Sequence, residues 1–213
     1  MIILVAGAAG PAGQAFVRRF TDKGHTVIGV DKSGADGTLA VDLLDLDAVK
    51  RLARDVEAEH GRVDGIAHLV GGWRGGKTFA ETKLEDWDLL HDLLVRTLQN
   101  VTLAFEPLLK ASEKGRFAIV SATGAQRPTQ GNAAYATAKA ASEAWTLAFA
   151  DALSGTNATA NILVVKALVN DAMRAASPER KFPGFTDVTD LAEAFDALWE
   201  TDDNGTRIDL TRG

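Results

Sequence analysis

The chain has 213 residues, enough for one domain with a full core, and its composition, 46% hydrophobic and 24% charged, is that of a soluble globular protein. A formal net charge of -6 argues against nucleic acid or an anionic membrane surface as the main partner. The absence of cysteine excludes thiol catalysis, disulfides and cysteine-ligated zinc, and suits a cytoplasmic protein.

Residues 2–6, IILVA, follow Met1 directly and predict a first strand; the run is too short for the apolar core of a signal peptide. No other apolar stretch reaches the length of a membrane span. Further strands are expected at 26–30 (TVIGV), 63–70 (VDGIAHLV), 116–121 (RFAIVS), 160–165 (ANILVV) and 206–210 (TRIDL). Helical patterning falls between them at 12–23, 45–60, 83–111, 132–154 and 189–200. Continuous apolar strands separated by helices predict a mainly parallel sheet with helices on both faces, a single doubly wound α/β domain over 1–213. Thr82 with Glu85, and Asp190 with Glu193, have the spacing of capping boxes at helix starts. Residues 171–186, with Pro178, Pro183 and Gly184, read as an irregular loop after a strand end, placed to act as a lid.

The segment Gly7-Ala8-Ala9-Gly10-Pro11-Ala12-Gly13 joins the first strand to the first helix. Glycines there let the backbone approach a pyrophosphate at a helix N-terminus, so Gly7, Gly10, Pro11, Ala12 and Gly13 are candidate dinucleotide-binding residues. The second strand ends at Asp31, where a carboxylate can accept hydrogen bonds from the adenosine ribose and repel a 2′-phosphate; NADH is therefore expected in preference to NADPH. Lys32, immediately after, is the residue that could offset that repulsion. Tyr135, the sole tyrosine, precedes Lys139 by four residues. On a helix the two share a face, and a cation beside a phenol lowers its pKa, which readies it to pass a proton to or from a carbonyl oxygen. The spacing alone also fits a structural tyrosine.

Taken together, Gly7, Gly10 and Gly13, Asp31, Asp42 in VDLLD, the strand running into Gly71 and Gly72, and Tyr135 with Lys139 resemble the short-chain dehydrogenase/reductase superfamily over almost the whole chain. The resemblance implies a Rossmann-type fold and an NAD(P)-dependent oxidoreductase. It implies Tyr135 as general acid or base, Lys139 as holder of the ribose and tuner of the tyrosine, and Asp42 near the adenine. The glycine spacing is that of extended members, whose large substrate domain this chain is too short to contain. Within the superfamily, VDGIAHLVGGWRGG and AYATAKAA are similar to the dihydropteridine reductase branch. That likeness implies reduction of a quinonoid or imine heterocycle, or of a carbonyl, in a small-molecule substrate. The usual serine thirteen residues before the tyrosine is Ala122, and the usual asparagine of the long helix aligns with Leu94. Ser121 and Thr123 flank the substituted position and either can supply a hydroxyl, with Thr123 favoured slightly over a water molecule. A dinucleotide-binding sensor without turnover is the alternative from another class, and a sugar-nucleotide epimerase a third.

Trp73, in the GGWRGG loop, can stack on a flat substrate or fold onto the surface, and Arg74 can meet an anionic group or remain solvated. His68, inside an apolar strand, reads as a core histidine bonded to backbone, and no histidine spacing indicates a metal. The helices at 83–111 and 132–154 are expected to pair copies of the chain into a homodimer or homotetramer.

Overall fold

The computed structural model describes residues 1–35 and 37–211. In chain order its strands are β1 (Ile2–Ala6), β2 (Thr26–Asp31), β3 (Leu39–Ala40), β4 (Gly65–His68), β5 (Arg116–Ala122), β6 (Thr159–Val165), β7 (Leu168–Val169), β8 (Thr186–Asp187) and β9 (Arg207–Asp209). The helices are α1 (Pro11–Asp22), α2 (Leu46–His60), α3 (Leu84–His91), α4 (Thr97–Lys110), α5 (Ala133–Ala152), α6 (Asp171–Ala176) and α7 (Val188–Asp196). Seven strands form one parallel sheet in the order β3-β2-β1-β4-β5-β6-β9; β7 and β8 make a separate parallel pair. The chain leaves β1 toward one edge and returns beside it as β4, so the crevice at the carboxyl ends of β1 and β4 is the switch point of the sheet.

Register shapes that crevice. Ala6 of β1 lies opposite both Val30 and His68, whereas β5 and β6 continue three residues past the level of His68, through the pairs Val120–Leu163, Ser121–Val164 and Ala122–Val165. The overshoot raises a wall beside the switch point.

The apolar runs are buried on both faces, as a parallel sheet requires. One face packs Val49, Leu52 and Val56 of α2, Leu98, Val101 and Phe105 of α4 and Phe149 of α5. The other packs Phe16 and Phe20 of α1 against Leu191 and Phe195 of α7. Arg116, at the foot of β5, is 1% exposed, yet its guanidinium donates to the carbonyls of Gly115, Asn157, Leu198 and Thr201 and to the Asp202 carboxylate. A buried charge is tolerated when its donors are satisfied in this way.

Local signals differ from expectation at several points. Neither anticipated capping box forms. The reciprocal Thr78–Glu81 pair instead heads a 3₁₀ turn (Phe79–Glu81), and α3 starts after Lys83 without a side-chain cap. The cap of α7 is Asp187, held extended by its place in β8, and its carboxylate accepts from the Thr189 amide. The helix expected over 83–111 is interrupted by a π-helical turn at Asp92–Arg96. The hydroxyls of Thr97 and Ser142 accommodate this turn by bonding the carbonyls of Leu93 and Leu94, at 2.7 and 2.9 Å. Residues 171–186 are not wholly irregular: Asn170 caps α6 by accepting from the Met173 amide, and Thr186 begins β8.

Candidate active site

A cavity of about 1010 Å³ opens at the switch point. It is lined by the β1–α1 loop, the ends of β4, β5 and β6, the first turns of α5 and the segment after β7.

The β1–α1 loop is shaped by two contacts that admit no side chain. At Gly7, φ is +85° and a Cβ would lie 2.9 Å from the Val70 amide nitrogen; at Gly13 it would lie 2.3 Å from the Gly7 carbonyl oxygen. Gly10 differs, since a Cβ there would meet ordinary contact at 3.5 Å. Gly10 is the extended N-cap residue of α1, with Pro11 in the first turn, so the helix presents bare amides toward the cavity. These are the features of a cradle for a pyrophosphate, and the residues present fit a dinucleotide. Asp31 ends β2 beside this loop, where its carboxylate accepts from the amides of Ala9, at 3.3 Å, and Ser33, at 3.2 Å. Lys32 turns to Asp42, with Nζ 3.0 Å from the carboxylate; the bond from the Leu44 amide, and then this pair, hold Asp42 below its ordinary carboxylate pKa. Gly71 and Gly72 line the cavity after β4.

Tyr135 and Lys139 lie one turn apart on α5, both facing the cavity, with the Lys139 Nζ 5.8 Å from the centroid of the phenol ring. Lys139 is buried and donates to the Val120 carbonyl at 2.7 Å, a carbonyl presented by the overshooting end of β5. The lysine was expected to lower the phenol's pKa; burial prevails instead. Desolvation penalises the charged form of each group, pushing Tyr135 up to about 12 and Lys139 down to about 8, with the Glu143 carboxylate opposing the fall in Lys139. At neutral pH the phenol keeps its proton and the lysine its charge, the pairing a proton donor needs.

The two candidate hydroxyls separate cleanly. Ser121 is fully buried and donates to Glu143 at 2.5 Å; the same carboxylate accepts from Arg207 at 2.9 and 3.1 Å. Ser121 lines the cavity, but its single hydrogen is directed to Glu143, which favours a structural role over the expected catalytic one. Thr123 opens the 3₁₀ turn after β5 and lines the cavity, and its hydroxyl bonds no other group among the described residues. Ala122 and Leu94 are both buried and apolar.

Trp73 is 59% exposed and lines the cavity mouth. Its loop rests on the segment before α5 through the Gly76 amide bonded to the Gly131 carbonyl at 2.9 Å. Arg74 does not line the cavity; its guanidinium bonds the Trp73 carbonyl at 2.8 Å. The cationic lining consists instead of Arg127, Lys139, Lys166 and Arg180, with no carboxylate among the described residues of the wall. Arg180 stacks on Phe182, 4.9 Å from the ring centroid. Arg127 and Arg180 were not singled out in the sequence, because isolated loop arginines carry no periodicity. His68 is buried, as expected, but its partner is the Thr97 hydroxyl at 3.2 Å rather than backbone, and it belongs to the cavity wall. Among the described residues no cluster of His, Asp and Glu could hold a metal ion, and no helix is long and apolar enough to cross a membrane.

The family model described as enoyl-(acyl carrier protein) reductase matches residues 7–198. A short-chain dehydrogenase of Pseudocercospora fijiensis is 31% identical over 169 residues, spanning 72% of this chain and 55% of that protein. The NADP-dependent 3-hydroxy acid dehydrogenase of Escherichia coli K12 is 26% identical over 168 residues, 73% of this chain and 68% of the enzyme. Among solved structures, a short-chain dehydrogenase from Pseudomonas syringae superposes with a TM-score of 0.83 at 25% identity, covering 98% of this chain and 94% of that one. One from Shigella flexneri in complex with NADP superposes at 0.85 and 21% identity, covering 98% and 96%. None of these relatives bears a dihydropteridine reductase name.

Proposed function

We propose, from the premise that the chain belongs to the short-chain dehydrogenase/reductase superfamily, that this NAD(P)-dependent oxidoreductase reduces the carbonyl of a small anionic substrate. One observation carries the reading: the glycine cradle, the Tyr135–Lys139 couple and a wall whose charges are all cationic share one cavity, in a chain whose net charge is -6.

The cradle at Gly7, Gly10, Pro11, Ala12 and Gly13 would hold the pyrophosphate, with Asp31 at the adenosine ribose and Asp42 and the Gly71–Gly72 backbone nearby. The bound cofactor supplies the hydride. Tyr135 donates its proton to the carbonyl oxygen as negative charge develops there, and Thr123 offers that oxygen a second hydrogen bond. Lys139 would hold the nicotinamide ribose when the cofactor is bound and steady the tyrosine electrostatically. Arg127 and Arg180 neutralise the substrate's anionic group. The 3-hydroxy acid named for the Escherichia coli relative is a substrate of this charge. NADH is the preferred cofactor on this reading: Asp31 repels a 2′-phosphate, and Lys32 is engaged by Asp42. Dissociation constants favouring NADPH in the wild-type protein would overturn the role given to Asp31.

A second reading keeps the dinucleotide chemistry and changes the substrate to a quinonoid dihydropterin or related flat heterocycle. The exposed indole of Trp73 at the cavity mouth favours it. Oxidation of NADH can be followed with 3-oxo acids, uncharged ketones of equal size and a quinonoid dihydropterin. The first reading requires kcat/KM to be highest for the acids and to fall on Arg127→Ala; highest turnover of the pterin, lost on Trp73→Ala, selects the second. No turnover of any of them, with NADH still bound, selects the non-catalytic sensor. Pairing of copies through α4 and α5, where Leu103 and Leu147 are exposed, belongs to the same reading, and a monomer mass by light scattering refutes it.

A further inference from the structure

The four cationic side chains of the cavity wall differ in what holds them. Lys139 donates to the Val120 carbonyl at 2.7 Å, and Lys166 to the Pro183 carbonyl at 3.1 Å. The guanidinium groups of Arg127 and Arg180 bond no other group among the described residues. Of these two, Arg180 alone is braced. Its guanidinium lies 4.9 Å from the centroid of the Phe182 ring and 5.8 Å from that of Phe185. The two rings meet edge to face, with centroids 5.5 Å apart and planes at 60°. The turn that carries all three is itself tied down. The Arg180 amide bonds the Ser177 carbonyl at 3.0 Å, the Phe185 amide bonds the Phe182 carbonyl at 3.1 Å, and Lys166, directly after β6, grips Pro183 between the rings.

A guanidinium that rests its face on an aromatic ring keeps its N–H edge free, and that edge fits a carboxylate through two parallel hydrogen bonds. Rings also hold the side chain without cancelling its charge, as an acidic partner would. Arg174 shows the contrast: it lines an adjoining hollow of about 340 Å³, and its guanidinium is taken up by Asp171 and Asp187. Arg180 and Phe185 line both this hollow and the cavity, whereas Phe182 lines the hollow alone. We infer that Arg180 is the residue that selects a carboxylate on the substrate, and that Phe182 is a positioning residue acting through it, by holding the guanidinium edge-on at the cavity wall. The inference rests on the anionic-substrate reading above and deepens it, naming the anionic group and the arginine that orients it. Arg127, whose guanidinium has neither a bond nor a ring to brace it among the described residues, supplies charge without a fixed direction. Phe182 stands behind Arg180, so a change of its ring reaches a ligand in the cavity through the guanidinium.

One test needs no turnover. In protein labelled with ¹⁵N-arginine and saturated with NADH, the Nε–H resonance of Arg180 is identified by its loss in Arg180→Lys. It should move saturably on titration with butyrate and stay in place with butyramide, the uncharged amide. A resonance unmoved by butyrate overturns the inference whether or not any 3-oxo acid is turned over. A resonance that moves, in a protein that turns over no 3-oxo acid, upholds the carboxylate site and overturns the reaction assigned to it. The second test is kinetic and compares kcat/KM for a 3-oxo acid with that for its methyl ester. The acid-to-ester ratio should fall about tenfold in Arg180→Lys, which keeps the charge and loses the fork. In Phe182→Leu it should fall about threefold, through KM for the acid rather than kcat. Phe182→Tyr keeps a ring and should restore the ratio. An unchanged ratio in Arg180→Lys refutes the selecting role; an unchanged ratio in Phe182→Leu, or an equal loss in Phe182→Tyr, refutes the positioning role. Should Phe182→Leu fail to fold, Phe182→Met removes the ring at similar bulk and is held to the same outcomes.

Discussion

Replacing Tyr135 by phenylalanine deletes the proposed proton donor and keeps the ring against which Lys139 packs. The rate should fall by roughly 10²- to 10⁴-fold while NADH affinity stays nearly constant, as read from single-turnover kinetics and titration. A variant retaining more than about a tenth of wild-type kcat contradicts the assignment. The two hydroxyls beside Ala122 make a sharper comparison. Thr123→Val should lower kcat without lowering stability, because its hydroxyl holds nothing within the protein. Ser121→Ala should do the reverse, costing about 1–3 kcal/mol of stability in urea unfolding by leaving the buried Glu143 carboxylate short of a donor. A Ser121 variant crippled in kcat yet unchanged in stability would exchange the two roles. The sequence exposed Tyr135 and Lys139 because a four-residue spacing on a helix is a local signal. It did not expose the commitment of Ser121, which depends on Glu143, 22 residues away, and through it on Arg207, a further 64 residues along the chain. The pKa balance of the couple was misjudged for a related reason: spacing reports proximity, whereas desolvation depends on everything packed around the pair.

The main strands and helices were readable because each is an apolar run or a 3.6-residue pattern, whereas the break within 83–111 and the short elements β3, β7, β8 and α6 were not. Nor were features set by contacts between elements. The π-helical turn at Asp92–Arg96 is accommodated by a hydroxyl from α5, and the cap of α7 is supplied by a residue of a two-residue strand. Neither has a period to detect. The β1–α1 loop lies between these cases, since its glycines were legible but their unequal importance was not. A Cβ on Gly13 would collide with backbone at 2.3 Å, whereas one on Gly10 would make ordinary contact at 3.5 Å. Gly13→Ala should therefore displace α1 from the loop, lowering stability by about 1–3 kcal/mol and weakening NADH binding together. Gly10→Ala should keep the fold and weaken NADH alone, because its methyl group makes only ordinary contact with the Gly7 carbonyl oxygen while standing at the helix end proposed to hold the pyrophosphate. Thermal melts with and without NADH separate the two; equal losses of stability would refute the distinction.

The whole molecule responds to acid through the same buried histidine that lines its cavity. His68 has a pKa of about 3 in the folded protein against 6.5 as its ordinary value, so between these limits the unfolded chain binds a proton that the folded one refuses. Stability then rises with pH across this window, with a slope approaching 1.4 kcal/mol per pH unit. The carboxylates act lower down. Asp64, bonded by Ser112, the Ile2 amide and Arg62, and Asp196, held by Lys23 and Arg19, both lie below their ordinary 3.8. Their contribution is intact above that value and is lost as pH falls through their folded pKa. Unfolding free energy should therefore decline steadily from pH 6.5 toward about 4 as His68 takes up a proton, with His25, whose pKa burial also lowers, adding to the slope near its upper end, and fall more steeply below as the carboxylates join. Urea titrations across this range measure the slope directly. His68→Asn removes this ring, so the variant should lose most of the slope between pH 6.5 and about 4, keeping the smaller contribution of His25 and the steep acid limb. A variant that retains the wild-type slope would show that another group, not His68, takes up the proton.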